Sequence, residues 1–317
     1  MKRLLITGAT GFIGRALISE LLKHDVELIA SIRKTDSTLP EQVKTINTGE
    51  LLASTDWSSA LKNVDIVIHM AARVHVMHDD SSNPLAEFRK TNTAATLNLA
   101  KQAAASGATR FIFVSSIKAN GQSQHKLSPD DTSVPDDPYG LSKYEAEQGL
   151  LALAKKTNME VVIIRPPLVY GPNVKGNFLS LLKCVQNNIP LPLGSIHNLR
   201  SFVALDNLVD FICFCADSAK AANEVFIVSD GEDISTTELL NKIAKAFNKK
   251  ALLIPVPATT LSFVAKLIGK NAVANRVLES LQVDSSKATE LLGWKPIISM
   301  DTQLKKIAAS YSNETNF

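Results

Sequence analysis

The chain has 317 residues, 45% of them hydrophobic, enough for one large core or two coupled ones. Its 34 basic and 31 acidic residues are interspersed and leave a net charge of +3, so no basic stripe marks a nucleic-acid binder. No apolar run is long enough to span a bilayer. The run after Met1-Lys2-Arg3 stops at Thr7-Gly8, too short for a signal peptide. Cys184, Cys213 and Cys215 form neither a C-x-x-C pair nor an even framework, which fits a reducing compartment. A cytoplasmic protein with no metal site is expected.

Leu4-Leu5-Ile6 predicts a buried strand at 3–7, and Gly8, Gly11 and Gly14 lead from it into a helical pattern at 12–24. Glycines at a strand-to-helix turn permit positive φ and let backbone N–H groups approach a pyrophosphate at the helix N-terminus. In that position the spacing indicates dinucleotide binding. A second strand, 26–32, ends on Ala30-Ser31, where an NAD enzyme usually places an acid for the ribose hydroxyls. Arg33 and Lys34 stand just beyond, and a guanidinium clamps a 2′-phosphate. The expectation is NADP(H), with NAD(H) possible.

Further strands are predicted at 43–47, 64–69, 110–115 and 160–165, with helices at 56–62, 84–106 and 139–156. This alternation predicts a doubly wound parallel sheet of Rossmann type, with helices on both faces, over residues 1–165. The strand at 110–115 presents Ser115 and Ser116 at its carboxyl end, where ligands bind in such sheets. Tyr139 and Lys143 stand at i and i+4 and share one helical face. A fixed ammonium beside a phenol favours the phenolate and brings its pKa, ordinarily ~10, toward working range. After Arg165, Pro166, Pro167, Gly171, Pro172, Pro190, Pro192 and Gly194 crowd together. Residues 166–317 are expected to form a smaller α/β substrate part, partly interleaved with the first. It carries helical patterns at 235–248, 259–269 and 300–311, with a frayed tail at 312–317.

These motifs together resemble the extended short-chain dehydrogenase/reductases that act on nucleotide sugars, the NAD(P)-dependent epimerase/dehydratase family. The resemblance rests on TGATGFIG (7–14), HMAAR (69–73), FVSS (113–116), YGLSK (139–143), RPPLVYGP (165–172) and LGWKP (292–296). It implies a catalytic set of Ser116, Tyr139 and Lys143, with Tyr139 exchanging a proton with a sugar oxygen and Lys143 also holding the nicotinamide ribose. It implies a cofactor lining that includes Thr10, Phe12, Ile13, Ser31, Glu50, Leu51, Met70, Ala71, Ala72, Arg73, Asn92, Pro166 and Pro167. It implies a UDP-sugar held by Asn177, Phe178, Arg200 and Arg276, with Lys118 near the substrate. It also implies a homodimer through the helices at 84–106 and 139–156, where Leu97, Ala100, Ala104, Ala146, Leu150 and Leu153 supply either part of the shared face or packing against the sheet.

Departures from the family narrow the reaction. Its 4,6-dehydratases carry an Asp-Glu pair after the catalytic hydroxyl, where this chain has Ile117 and Lys118. Many of its 4-epimerases carry an asparagine where this chain has Leu168. The segments SSIKANG (115–121), RPPLVYGPNVKGNF (165–178) and PLPLGSIHNLRS (190–201) resemble a bacterial subgroup, often labelled epimerase but including 4-reductases, that serves surface polysaccharide synthesis. The leading expectation is an NADPH-dependent C4 ketoreductase of a UDP-4-keto-6-deoxy-N-acetylhexosamine, giving UDP-N-acetylquinovosamine or a similar product. The alternatives are a UDP-hexose or UDP-N-acetylhexosamine 4-epimerase with tightly bound NAD and, remotely, a non-catalytic NADP-binding regulator on the same fold.

Overall fold

The computed structural model describes residues 1–34, 38–74, 83–121, 125–131, 133–269 and 271–314. The chain opens with strand β1 (Lys2–Thr7), helix α1 (Phe12–Leu21), β2 (Val26–Ile32), β3 (Lys44–Asn47) and β4 (Ile66–His69). A long helical run follows: α2 (Pro84–Phe88), a π-helical turn at Arg89–Ala94, and α3 (Ala95–Ala105). Next come β5 (Arg110–Val114), α4 (Pro138–Ala154), β6 (Glu160–Arg165), β7 (Leu168–Tyr170) and α5 (Gly176–Gln186). The remainder is β8 (Arg200–Ala204), α6 (Leu205–Asp217), β9 (Val225–Ile227), β10 (Asp233–Ile234), α7 (Thr236–Ala246), α8 (Ala258–Leu267), α9 (Asn271–Leu278), α10 (Ser286–Leu292) and α11 (Met300–Glu314). Among the described residues no helix is long and apolar enough to cross a membrane.

The fold divides into two compact units. The first comprises Met1–Pro167, Leu208–Val228 and Asp284–Lys295. Its seven-stranded parallel sheet has the order β3-β2-β1-β4-β5-β6-β9, the Rossmann-type arrangement expected from the alternation of elements. β4 and β5 are buried along their whole length, which is why they read as continuous apolar runs rather than alternating ones. Their side chains share one core with Trp57, Leu99, Ala103, Ala146 and Leu150. Helices α3 and α4 approach closely at Gly149, where a Cβ would come within 2.5 Å of Leu97.

Residues 56–62 form turns, not the expected helix. A single turn closes, with the Ala60 and Leu61 N–H groups donating to the Trp57 carbonyl, and side chains of α3 anchor the start of the segment. Gln102 Oε1 accepts the Trp57 N–H, while Asn98 Nδ2 and Gln102 Nε2 both donate to the Thr55 carbonyl. The expected intersubunit face is also corrected in part. Ala100, Ala146 and Leu150 are fully buried within this unit's own core, and Leu97, Ala104 and Leu153 pack partly against it.

The second unit comprises Leu168–Asn207, Ser229–Val283 and Pro296–Phe317. Its sheet has the order β10-β8-β7, with β7 and β8 parallel and β10 antiparallel. Asp230 ties it together, accepting from Tyr170 Oη at 2.6 Å, the Ala204 N–H at 2.8 Å and Asn207 Nδ2 at 2.7 Å. Helix α7 starts at a capping box, with Ser235 and Glu238 each taking the other's backbone N–H.

Candidate active site

The first unit brings the expected cofactor residues to the carboxyl edge of its sheet. Gly8 takes φ +72°, and a Cβ there would stand 2.8 Å from the Ala71 nitrogen, so the turn after β1 and the segment after β4 approach too closely for any side chain. A Cβ on Gly14 would meet the Gly8 carbonyl oxygen at 2.2 Å, which keeps α1 tight on the same turn. Gly11 caps α1 with no side-chain acceptor, leaving the N–H groups of the first turn, around Phe12 and Ile13, open to an anion. Thr10 is exposed beside them. This cradle suits a dinucleotide pyrophosphate.

At the end of β2, Ser31 is buried and its hydroxyl meets Thr48 Oγ1 at 2.7 Å. Arg33 and Lys34 are exposed just beyond, with Glu50 exposed and Leu51 half-buried after β3. No carboxylate takes the place that Ser31 holds, and Arg33, Lys34 and Glu50 are the exposed charged groups around it.

The Met70–Arg73 segment is fixed from both sides. The Met70 and Ala71 N–H groups donate to the Thr7 carbonyl and hydroxyl, each at 3.3 Å. Asn92, buried in the π-helical turn, accepts the Arg73 N–H at 2.8 Å and donates back to the Arg73 carbonyl at 3.0 Å. Asn92 Nδ2 also reaches Ser142 Oγ, at 3.1 Å, and Ser142 donates to the Tyr139 carbonyl at 2.8 Å. Asn92 thus couples the segment after β4 to the helix that carries Tyr139. π-bulges inside helices often mark functional positions.

Ser116 follows β5 and accepts the Lys118 N–H at 3.3 Å. Tyr139 sits in the first turn of α4, which Asp137 caps by accepting the Gly140 N–H at 3.1 Å. Burial pushes the Tyr139 phenol up to about 12; its hydrogen bond with Ser116 acts in the opposite direction. Lys143 is buried, donates from Nζ to the Val114 carbonyl at 2.9 Å and stands 4.3 Å from the centre of the Phe113 ring. Burial lowers its ammonium to about 7, with the Glu147 charge opposing the shift. The direction for Tyr139 is therefore opposite to that expected from the shared helical face. Desolvation exceeds any stabilisation of the phenolate, because the Lys143 side chain turns inward to the sheet.

Lys118, expected near substrate, pairs with Asp137 at 3.2 Å, with its ammonium 5.8 Å from the Tyr139 ring centre. Pro166 and Pro167 are buried after β6, and the Pro166 carbonyl accepts the Ile117 N–H at 3.0 Å. The remaining expected contacts belong to the second unit. Asn177 is exposed at the start of α5, while Phe178 is buried and stacks on Tyr170 with ring centres 5.4 Å apart. Arg200 donates to the Glu279 carbonyl at 2.8 Å, and Arg276 is exposed on α9.

Sequence reasoning missed two supports. His69 at the end of β4 is wholly buried between Thr7 Oγ1 (2.6 Å) and Thr96 Oγ1 (2.8 Å) and stacks on Phe113. Burial, with the Lys143 charge, holds its imidazole down at about 3. Because the folded value lies below the ordinary 6.5, its contribution to stability is complete above pH 6.5 and is lost as pH falls from there toward 3. A loss of a few kcal/mol is expected over that window, visible as a falling urea midpoint. A His69→Gln variant should lack that part of the slope, and an unchanged slope would refute the assignment. The second support is Arg165, which places Nη2 2.6 Å from Glu147 and Nη1 3.0 Å from Asn120 Oδ1. Glu147 lies one turn beyond Lys143, a spacing legible in the sequence.

The chain belongs to the NAD dependent epimerase/dehydratase family, whose model matches residues 4–229. It is thus an NAD(P)-dependent enzyme of the epimerase/dehydratase class. It is 47% identical to a UDP-glucose 4-epimerase from Vibrio cholerae, over 99% of this chain and 97% of the relative. It is 28% identical to an N-acetyl-alpha-D-glucosaminyl-diphospho-ditrans,octacis-undecaprenol 4-epimerase from Escherichia coli O157:H7, over 86% of this chain and 83% of that one. Among solved structures it resembles MoeE5 in complex with UDP-glucuronic acid and NAD, with a TM-score of 0.79, 25% identity and coverage of 98% and 99% of the two chains.

Proposed function

We propose that this protein is a 4-epimerase of a UDP-hexose or UDP-N-acetylhexosamine that works with a tightly held nicotinamide dinucleotide. The observation that carries this reading is the 47% identity, across nearly all of both chains, to a UDP-glucose 4-epimerase. When bound, the nicotinamide supplies the acceptor and donor of hydride at C4. The chain's own residues move the proton and hold the sugar. Tyr139 takes the C4 hydroxyl proton and returns it after the keto sugar has turned over in the site. Ser116, at the carboxyl end of β5, holds the same sugar oxygen. Lys143 holds the nicotinamide ribose, and in the second unit Arg200 and Asn177 are the proposed contacts of the UDP group. The decisive experiment supplies UDP-glucose and UDP-N-acetylglucosamine without added cofactor and follows products by NMR. Interconversion with the galacto isomers, with no net use of NADPH, is the expected result.

The ketoreductase expected from sequence is the second reading. One observation favours it: Ser31 where an acid would receive ribose, with Arg33 and Lys34 at the rim, suits the 2′-phosphate of a reductant consumed at each turnover. NADPH-dependent reduction of a UDP-4-keto-6-deoxy-N-acetylhexosamine, without interconversion of the hexoses, would decide for it. Either reading leaves cofactor choice testable. Arg33→Ala should weaken NADPH roughly tenfold or more relative to NADH, the loss of one charge-assisted contact. Equal changes in the two dissociation constants would remove Arg33 from phosphate recognition. A homodimer at micromolar concentration is also proposed, and light scattering that reports a monomer throughout would exclude it.

A further inference from the structure

Helix α8 buries one side chain, Ala265, and leaves most of its apolar surface in solvent. Phe263, Val264, Leu267 and Ile268 are 64%, 47%, 71% and 60% exposed. Their spacing along the helix lays them on one stripe. Leu252 and Ile254, shortly before α8, are about half exposed as well. A cluster of large exposed apolar groups on one short segment marks an interaction surface rather than ordinary scatter.

Charge selects the occupant. From Leu239 to Leu278 the sequence holds no Asp or Glu, although acidic residues are interspersed elsewhere. The same stretch contains six lysines and Arg276, of which Lys245, Lys250, Lys266 and Arg276 are exposed. An apolar stripe flanked by lysines and free of carboxylates is complementary to an anionic bilayer, where headgroups attract the ammonium groups and the acyl boundary receives the aromatic and aliphatic side chains. A ten-residue helix reaches about 15 Å, half of the ~30 Å hydrocarbon thickness, so α8 fits the interface plane and not a span.

We propose that α8 docks this protein on an anionic membrane surface, with Phe263, Leu267 and Ile268 inserted at the acyl boundary and Lys266 among the headgroups. The docking is independent of which sugar the first unit's residues act upon.

The test is sedimentation of the full chain with vesicles. At low salt the protein should travel with mixed phosphatidylglycerol and phosphatidylcholine vesicles, and phosphatidylcholine alone or high salt should leave most of it in solution. The double substitution Phe263→Ser/Leu267→Ser should cut partitioning by about tenfold or more, and Lys266→Glu by several-fold. Both variants should keep the wild-type urea midpoint and the wild-type turnover of a soluble nucleotide sugar. No sedimentation with anionic vesicles, or sedimentation that ignores Phe263→Ser/Leu267→Ser, overturns the proposal. So does light scattering in which the same substitutions split an oligomer formed by the wild type, because the stripe would then join copies of this chain.

Discussion

Tyr139→Phe is expected to cut turnover by roughly two to four orders of magnitude, the span of a lost general acid–base group. Fold and cofactor affinity should be unchanged. The phenol faces Ser116 at the end of β5 and contacts Phe88 edge-on at 5.8 Å, a packing contact that phenylalanine preserves. With its phenol pushed up to about 12, Tyr139 is protonated at neutral pH and is set to give a proton. To take one it needs positive charge brought beside it, and Lys143, one helical turn on, is positioned to supply that charge once its Val114 contact is exchanged. The measurement is single-turnover kinetics on the true substrate, alongside a dissociation constant for the cofactor. Turnover near that of the wild type would exclude Tyr139 as the proton carrier. A large loss with a parallel fall in cofactor affinity would instead point to a binding role.

What was legible in the sequence is what local geometry dictates. Gly8, Gly11 and Gly14 announce a strand–turn–helix because the close approach they permit lies within one connection. Tyr139 and Lys143 are legible as a pair because helical spacing is fixed. The partners of Lys143 were not, since the Val114 carbonyl and the Phe113 ring reach it only after β5 has joined the sheet. The turns at 56–62 were misread for a related reason: the segment is anchored at Thr55 and Trp57 by Asn98 and Gln102, some forty residues later. β9, three residues long, is too short to carry a period and exists by pairing with β6. Ala100, Ala146 and Leu150 illustrate a further ambiguity. A small-residue stripe on a helix looks the same in sequence whether it meets its own sheet or a second subunit, and burial assigns these three to the sheet side.

Glu147→Ala is expected to cost about 3–5 kcal/mol of folding stability, the loss that follows when one partner of a buried ion pair is removed. Arg165 and Glu147 side chains are 5% and 0% exposed, and Arg165 donates to Glu147 through Nε and Nη2. Without the carboxylate, the guanidinium keeps only the neutral acceptors Asn120 Oδ1 and the Pro129 carbonyl. An isolated buried cation on those two contacts is poorly solvated. The double variant Glu147→Leu/Arg165→Met should regain much of the loss, since it removes the charges together and fills the space with apolar groups. A second consequence reaches the active site. The Glu147 charge is what opposes the burial of Lys143, so in Glu147→Gln the Lys143 ammonium should titrate below its present value of about 7. The cationic form would then be confined to more acidic pH, and the limb of the pH–rate profile that reports Lys143 should move the same way. Urea midpoints of the three variants and a pH–rate profile of Glu147→Gln make the two effects separable. A stability loss under about 1 kcal/mol in Glu147→Ala would mean that water or a local rearrangement solvates Arg165. An unmoved pH limb with a large stability loss would leave the pair a purely structural element under α4.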